Sequence, residues 1–367
     1  MQALVKPTRF LIFLFLLFGA LFLAKPVLVP LVIAGLLAML FLPLSTRFER
    51  KGISRGPAAL LCIFIFLLVI AGLVFLIQWQ LSDLIEDMSG IDQKITDMVS
   101  KAKQYISQTL GIDAKKQEQM VKEQQSSSSG QLSSVVTGVL NGVMGMAVDT
   151  VLMLVYLFLL LLFRGHIKTF ILKLTPTDDQ FEARTIISKT SEVGQKYLMG
   201  LASMIVMLWV LYGIGFSIVG VKHAIFLAIL CGLLEIIPFI GNLMGTGLTI
   251  LITLAQSGDS NAIIGIVIVY ALVQFIQTYL LEPLIVGSGV NINPLFTIFI
   301  IVVGETVWGI PGMILALPLL GIVKIICDHI EQLKPYGFLI GEEPKKKESN
   351  FMDKVKGWFG KSKAQVD

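Results

Sequence analysis

The stretch EIIPFIG, residues 235–241, lies inside an apolar run that extends from 224 to 255. The run holds one acid, one proline and four glycines. A carboxylate, a helix breaker and a flexible residue this close together are ordinary in a loop and costly in oil. The fold depends on whether the surroundings are oil.

The composition says that they are. Of 367 residues, 55% are hydrophobic and only 15% charged, against about 45–50% and about 25% in soluble domains. The mean hydropathy is +0.82. Apolar segments fall near 10–24, 27–44, 57–79, 143–163, 197–220, 224–255, 261–281 and 294–327. Several approach or exceed the ~20 residues that cross a bilayer core of about 30 Å. In lipid every backbone polar group must be satisfied internally, so long continuous runs are helices. A barrel would show short alternating strands instead. The expected fold is an all-α polytopic membrane protein with eight hydrophobic segments.

The three cysteines, Cys62, Cys231 and Cys327, all sit in apolar segments. They form neither a disulfide framework nor a metal-ligand set. The net charge of +4 comes from basic loops and bears on orientation rather than on nucleic acid. The segment before Lys25-Pro26 has a basic start but no small-x-small cleavage site, so the first two segments read as a helical hairpin rather than a signal peptide. The loop at 46–56 carries Arg47, Arg50, Lys51 and Arg55, and the stretch 164–196 carries six further basic residues. Both are expected on the cytoplasmic side, with both termini cytoplasmic. Segment 80–137 then falls outside. Its Leu81, Leu84, Ile85, Met88, Ile91, Ile95, Met98 and Val99 recur at helical spacing, and SSSSG at 126–130 is a linker. It reads as a surface helix packed on the membrane, or as a lid. Gly138 and Gly142 have the spacing of close helix packing. The TPTDD stretch opens a cytoplasmic amphipathic helix. Phe351, Val355, Trp358 and Phe359, interleaved with lysines, could rest on an anionic leaflet.

Two segments are too long for simple spans. As one helix, 224–255 would measure about 48 Å at ~1.5 Å per residue, and 294–327 is longer. The first is interrupted by Pro238 and Gly241, the second by Gly309, Pro311 and Gly312. Proline removes a backbone donor and clashes with the preceding turn. Each breaker follows an acid, Glu235 or Glu305. Each broken segment also follows a full span, so a unit of span and broken helix occurs twice. Re-entrant hairpins would make the two units an inverted repeat with tips meeting near the midplane, a recurring transporter design. Kinked spans would leave the C-terminus on the same side. The loops 256–261 and 282–293 contain no Lys or Arg, so charge bias does not choose; the shortness of each half favours hairpins.

The chain thus divides into N-terminal membrane helices (1–79), an extracytoplasmic amphipathic segment with a Ser-rich linker (80–137), a fourth membrane helix (138–164), a cytoplasmic amphipathic helix (165–196), a transport core with broken helices (197–330) and a charged cytoplasmic tail (331–367). An ionisable group at membrane depth costs roughly 2.5–3.5 kcal/mol on insertion scales and is a functional candidate by default. Glu235 and Glu305 could each bind a proton or cation, or accept hydrogen bonds from a hydroxylated solute; each could equally satisfy amides freed at a helix break. Gln274 and Gln277 lie three apart and share a face, fit for helix–helix hydrogen bonding or for lining a pathway. Asn242, Asn291 and Asn293 read first as cap or loop residues, with Asn293-Pro294 a helix start. Glu282 and Asp149 read as interfacial charges. His166, His223 and His329 are scattered, and neither an H-E-x-x-H nor a P-loop pattern occurs. A G-x-S-x-G elbow is missing as well. No enzyme and no cofactor is expected.

These residues resemble the autoinducer-2 exporter family of permeases. The matching blocks are LCGLLEIIPFIGNLMG (230–245), LEPLIVGSGVNINPL (281–295), GETVWGIPGMILALPL (304–319) and GQKYLMG (194–200). The likeness runs from about residue 8 to 335, specific in the C-terminal blocks and mainly one of layout before them. Asn242 departs from the family's usual proline. The resemblance implies transport across a bacterial cytoplasmic (inner) membrane, with Glu235, Pro238, Gly241, Asn242, Gln274, Gln277, Glu305, Pro311 and Gly312 along the substrate or ion pathway. It implies export of a small polar solute such as autoinducer-2, or exchange of sodium or lithium for protons, and a homo-oligomer, a pentameric ring being one form. Partners are then a small polar solute or monovalent cation and the bilayer, with no nucleic acid. A non-transporting scaffold is the reading from another class.

Overall fold

The structure is a computed structural model that describes residues 2–87, 147–238, 240–256, 260–282 and 292–342. Most of the expected extracytoplasmic segment, with the 126–130 linker, the Gly138/Gly142 pair and Asn291, lies outside the described residues. So does the tail beyond 342, with its aromatic and lysine residues. The described elements are helical throughout: α1 (Gln2–Leu23), α2 (Lys25–Arg50), α3 (Arg55–Asp87), α4 (Ala147–Leu174), α5 (Gln180–Val219), α6 (Ala224–Leu234), α7 (Ile240–Gln256), α8 (Ser260–Ile276), α9 (Pro294–Trp308), α10 (Ile310–His329) and α11 (Lys334–Ile340). Among the described residues, six helices are long and apolar enough to cross a membrane, as an all-α multi-pass protein requires.

Three expected boundaries are absent as breaks. The helix α3 runs unbroken through residue 79, α4 runs through residue 164 to Leu174, and α5 joins the amphipathic cytoplasmic stretch to the following span as one 40-residue helix. None of these junctions contains a proline to stop helix propagation. Segment 10–24 does not form the expected hairpin with segment 27–44. Ala24 N–H donates to the Ala20 carbonyl and the Ala24 carbonyl accepts from Leu28, both at 2.9 Å. With φ −83° and ψ 5°, Ala24 departs from helical values by only about 20° and about 47°. Rotations of that size bend a chain and do not reverse it. Pro26 lacks the N–H that would continue the bonding, which accounts for the bend. The helices α1 and α2 are one bent rod, and the crossing count that placed the N-terminus inside loses the reversal it relied on.

The N-terminal bundle packs α2, α3 and α4 around Ala34, Ala59, Cys62, Leu157 and Leu161. An ion pair ties its basic end: Arg164 Nη2 lies 2.6 Å from Glu49 Oε2, while Arg164 Nη1 donates to Ser45 Oγ at 3.2 Å. The C-terminal core packs α5, α6 and α8 around Leu208, Tyr212, Phe216, Leu227 and Ile266. Helices α5 and α8 run antiparallel in close contact. A Cβ added at Gly215 would meet Val269, and one at Gly265 would meet Val219. Small residues facing branched ones permit such close approach in membranes.

Both broken segments fold back on themselves. Cys231 Sγ of α6 lies 3.5 Å from Thr249 Oγ1 of α7; in a straight helix, residues eighteen apart are separated by roughly 27 Å. In the second hairpin, a Cβ at Gly304 would sit 3.3 Å from the Ala316 Cβ, residues that a straight helix would hold roughly 18 Å apart. Gly309 makes this reversal with φ 69°, a backbone region that favours glycine. The two hairpins dock at different places on α5. The first bonds at Tyr212 and the second at Tyr197, whose hydroxyl donates to the Ile314 carbonyl at 3.3 Å. Those points lie roughly 22 Å apart along the helix.

Candidate functional site

The first hairpin closes over a tight unwinding of α6. Beyond Leu234 the bonds shorten to three-residue turns: Ile236 N–H to the Leu233 carbonyl at 3.2 Å, and Ile237 N–H to the Leu234 carbonyl at 2.9 Å. Pro238 follows, and Gly241 N–H donates to the Ile237 carbonyl at 3.0 Å as α7 starts. A Cβ on Gly241 would run into the Leu234 carbonyl, so only glycine lets the two arms close. These bonds project Glu235 and Asn242 from the tip towards α8 and α5.

There they meet the amides expected from the sequence. Gln277 Nε2 donates to Glu235 Oε1 at 2.7 Å. Asn242 Nδ2 donates to Gln274 Oε1, and Asn242 Oδ1 accepts from the Tyr212 hydroxyl at 2.7 Å. Gln274 Nε2 reaches Thr278 Oγ1 at 3.4 Å. Asn242 and Gln277 are buried, at 6% and 3% exposure. The cluster thus ties the hairpin tip to two spans through side chains alone. It also accounts for the departure at 242, because asparagine supplies both a donor and an acceptor to this bridge and proline neither.

The network is incomplete at one end. Glu235 Oε2 and Gln277 Oε1 are buried and have no hydrogen-bond partner among the described residues. Both atoms are acceptors when the carboxylate is ionised. Leaving a buried acceptor bare costs about 1–3 kcal/mol. Each bare acceptor is open to a proton, a cation or a hydroxyl donor.

The remaining sequence candidates lie elsewhere. Glu305 is exposed on α9; only its backbone carbonyl takes part in the turn, accepting from Gly309 N–H at 2.7 Å. Gly312 is buried against the Gly304 carbonyl, and a side chain at either glycine would collide with the other strand of the hairpin. Pro311 lines an apolar cavity of about 240 Å³ between α2, α5 and α10, with Leu36, Tyr197 and Ile314. The tip of the second hairpin rests on the bend between α1 and α2, where Trp308 Nε1 donates to the Leu21 carbonyl at 3.1 Å. The structure therefore gathers Glu235, Asn242, Gln274 and Gln277 into one cluster, with Pro238 and Gly241 shaping it, and sets Glu305, Pro311 and Gly312 in a second hairpin. Sequence reading passed over Tyr212, whose hydroxyl inside an apolar span had to find a buried partner. Among the described residues no group of His, Cys, Asp and Glu could hold a metal ion.

Comparison with known proteins identifies the family of this chain. The family model described as AI-2E family transporter matches residues 10–332. YueF of Bacillus subtilis, named as a transport protein, is 25% identical over 83% of this chain and 84% of its own. PerM of Escherichia coli, named as a permease, is 26% identical over 84% and 89%. YhhT of the same organism, again named as a transport protein, is 21% identical over 87% and 89%. Such names denote permeases and transport proteins, not enzymes. A bent, hairpin-bearing helical membrane protein matched across nearly its whole length belongs to the AI-2E transporter family.

Proposed function

We propose that this protein is a secondary transporter that exports a small polar solute, of the kind autoinducer-2 represents, across a bacterial inner membrane, with Glu235 as the coupling group. The observation that supports it most is the pair of bare acceptors on Glu235 and Gln277 at the tip of a folded-back hairpin. A transport site must bind and release its charge. A carboxylate satisfied on one oxygen and bare on the other gains a partner when it takes a proton or cation, and loses it on release. Asn242, Gln274 and Tyr212 hold the hairpin tip to α5 and α8. Breaking and remaking those few bonds as the tip moves would expose Glu235 alternately, and discontinuous helices at membrane depth serve this use in transporters. The basic loop at 46–56 and the C-terminal tail lie on the cytoplasmic side.

A second reading, exchange of sodium or lithium for protons, is favoured by the same bare oxygens, which are hard ligands suited to such ions. Efflux of labelled solute from loaded cells separates the two. Under the export reading, Glu235→Gln inserts normally and loses efflux. Wild-type efflux in that variant removes Glu235 from the coupling role. Efflux absent in both, alongside sodium-dependent proton movement lost in the variant, selects exchange.

A further inference from the structure

The charges at the basic end of the N-terminal bundle do not balance. The stretches 45–56 and 150–175, which carry the adjoining ends of α2, α3 and α4, hold seven lysines and arginines against one acid, Glu49. That carboxylate is already engaged. Arg164 Nη2 lies 2.6 Å from its Oε2, and Ser45 Oγ donates to its Oε1 at 3.1 Å. Arg55, in the first turn of α3, approaches the same Oε2 only to 3.8 Å, too long for a hydrogen bond. Its Nη1 lies 3.4 Å from where a Cβ on Gly165 would stand, so the guanidinium spans the gap from α3 to α4. The Arg55 side chain is 59% exposed, and none of its N–H donors has an acceptor among the described residues. Lys168 follows Arg164 by one turn of α4, and residues four apart share a helix face. It is exposed and has no carboxylate partner among the described residues. Three cations thus gather around one carboxylate, at the level where the span Lys25–Arg50 ends and the span Arg55–Trp79 begins. On the membrane side of that level, Leu60 and Phe64 of α3 and Phe163 of α4 are exposed apolar side chains.

We propose that this end of the bundle binds the headgroup phosphate of an anionic phospholipid, held by Arg55 and Lys168, with its acyl chains against the exposed apolar side chains of α3 and α4. The excess positive charge selects an anion. A guanidinium with its donors free matches two phosphate oxygens at once, and the ammonium of Lys168 adds a second positive charge. The apolar surface beside the cluster selects a lipid over a free anion. Basic pockets between membrane helices take acidic headgroups in this way. Glu49 holds Arg164 in place, and the lipid supplies the negative charge that Arg55 and Lys168 lack. The assignment does not depend on the role of Glu235.

The test titrates the purified full chain in a non-ionic detergent with phosphatidylglycerol, phosphatidylcholine or inorganic phosphate. Native mass spectrometry counts bound lipid, and thermal unfolding runs in parallel. Phosphatidylglycerol should bind saturably and raise the unfolding midpoint, and the other two should do neither. Arg55→Gln and Lys168→Gln should each weaken phosphatidylglycerol binding about fivefold, and together about 25-fold. Arg55→Lys should recover part of the loss, and Lys334→Gln, on α11, should change nothing. Without lipid the variants should unfold at the wild-type midpoint, because neither side chain makes a hydrogen bond that folding would miss. Equal binding of the two lipids overturns the proposal, as does wild-type affinity in the double variant. Stabilisation by inorganic phosphate would make this a site for a soluble anion and overturn the lipid assignment. A midpoint that falls without lipid would make the residues structural and likewise overturn it. Rising salt should weaken phosphatidylglycerol binding to the wild-type chain, and binding indifferent to salt would contradict the proposal whatever the variants do.

Discussion

Replacing Tyr212 with phenylalanine removes one hydroxyl and little else. The ring keeps its place against Phe216, with centroids 5.3 Å apart, and the site is 1% exposed, so no water takes the vacated position. What is lost is the 2.7 Å bond to Asn242 Oδ1. Interhelical hydrogen bonds in membrane proteins contribute about 0.6 kcal/mol on average, and up to about 1.7. Here the abandoned oxygen is also buried, and a bare buried acceptor costs about 1–3 kcal/mol. A loss of about 1–2 kcal/mol follows for Tyr212→Phe. Reversible unfolding of the purified protein in mixed micelles, titrated with a denaturing detergent, measures it. A double-mutant cycle with Asn242→Leu isolates the pair and should return a coupling of at least about 0.6 kcal/mol. Phenylalanine at wild-type stability with zero coupling would show that the hydroxyl does not hold the hairpin tip, and the tethered tip would have to be abandoned.

Other expectations follow from the same geometry. Gly304→Val should destabilise by about 1–3 kcal/mol through overpacking, because its side chain enters the Gly312 carbonyl; unfolding in micelles reads this, and wild-type stability would mean the second hairpin is not closed. Gly309→Ala should cost about 1–2 kcal/mol, since an L-residue is strained at φ 69°, in the same assay. Arg164→Ala leaves Glu49, whose side chain is 20% exposed, with the Ser45 hydroxyl at 3.1 Å and the more distant Arg55 at 3.8 Å. Partial exposure discounts the 3–5 kcal/mol of a fully buried pair to about 1–3 kcal/mol, and Glu49→Gln combined with it should recover part of the loss. Gly241→Ala should lower transport as well as stability, because the tip cannot close over the Leu234 carbonyl.

Much of the fold was legible because lipid leaves the backbone so few choices. Composition and run length alone gave an all-helical multi-pass protein, and the proline and glycine breakers marked where both hairpins turn. The cluster was partly legible for a related reason. Glu235, Asn242, Gln274 and Gln277 are polar residues in apolar runs, and such residues must find one another. Helical spacing could not say which of them would meet, because the meetings are between helices. That is why Tyr212 was missed. At Lys25-Pro26 the error came from treating proline as a reversal. At Pro26 the chain carries on as a bent helix, whereas at Gly309, with its positive φ, it turns back.

The most direct measurement places purified protein in sealed liposomes under an imposed pH gradient and follows internal pH as sodium, lithium or autoinducer-2 is added. Proton movement should follow one of these additions and vanish in Glu235→Gln. Movement triggered by autoinducer-2 alone identifies coupled export, and movement triggered by sodium or lithium identifies cation exchange at the same carboxylate. Equal movement in wild type and Glu235→Gln would contradict the central claim that the buried acid at the first hairpin tip couples transport.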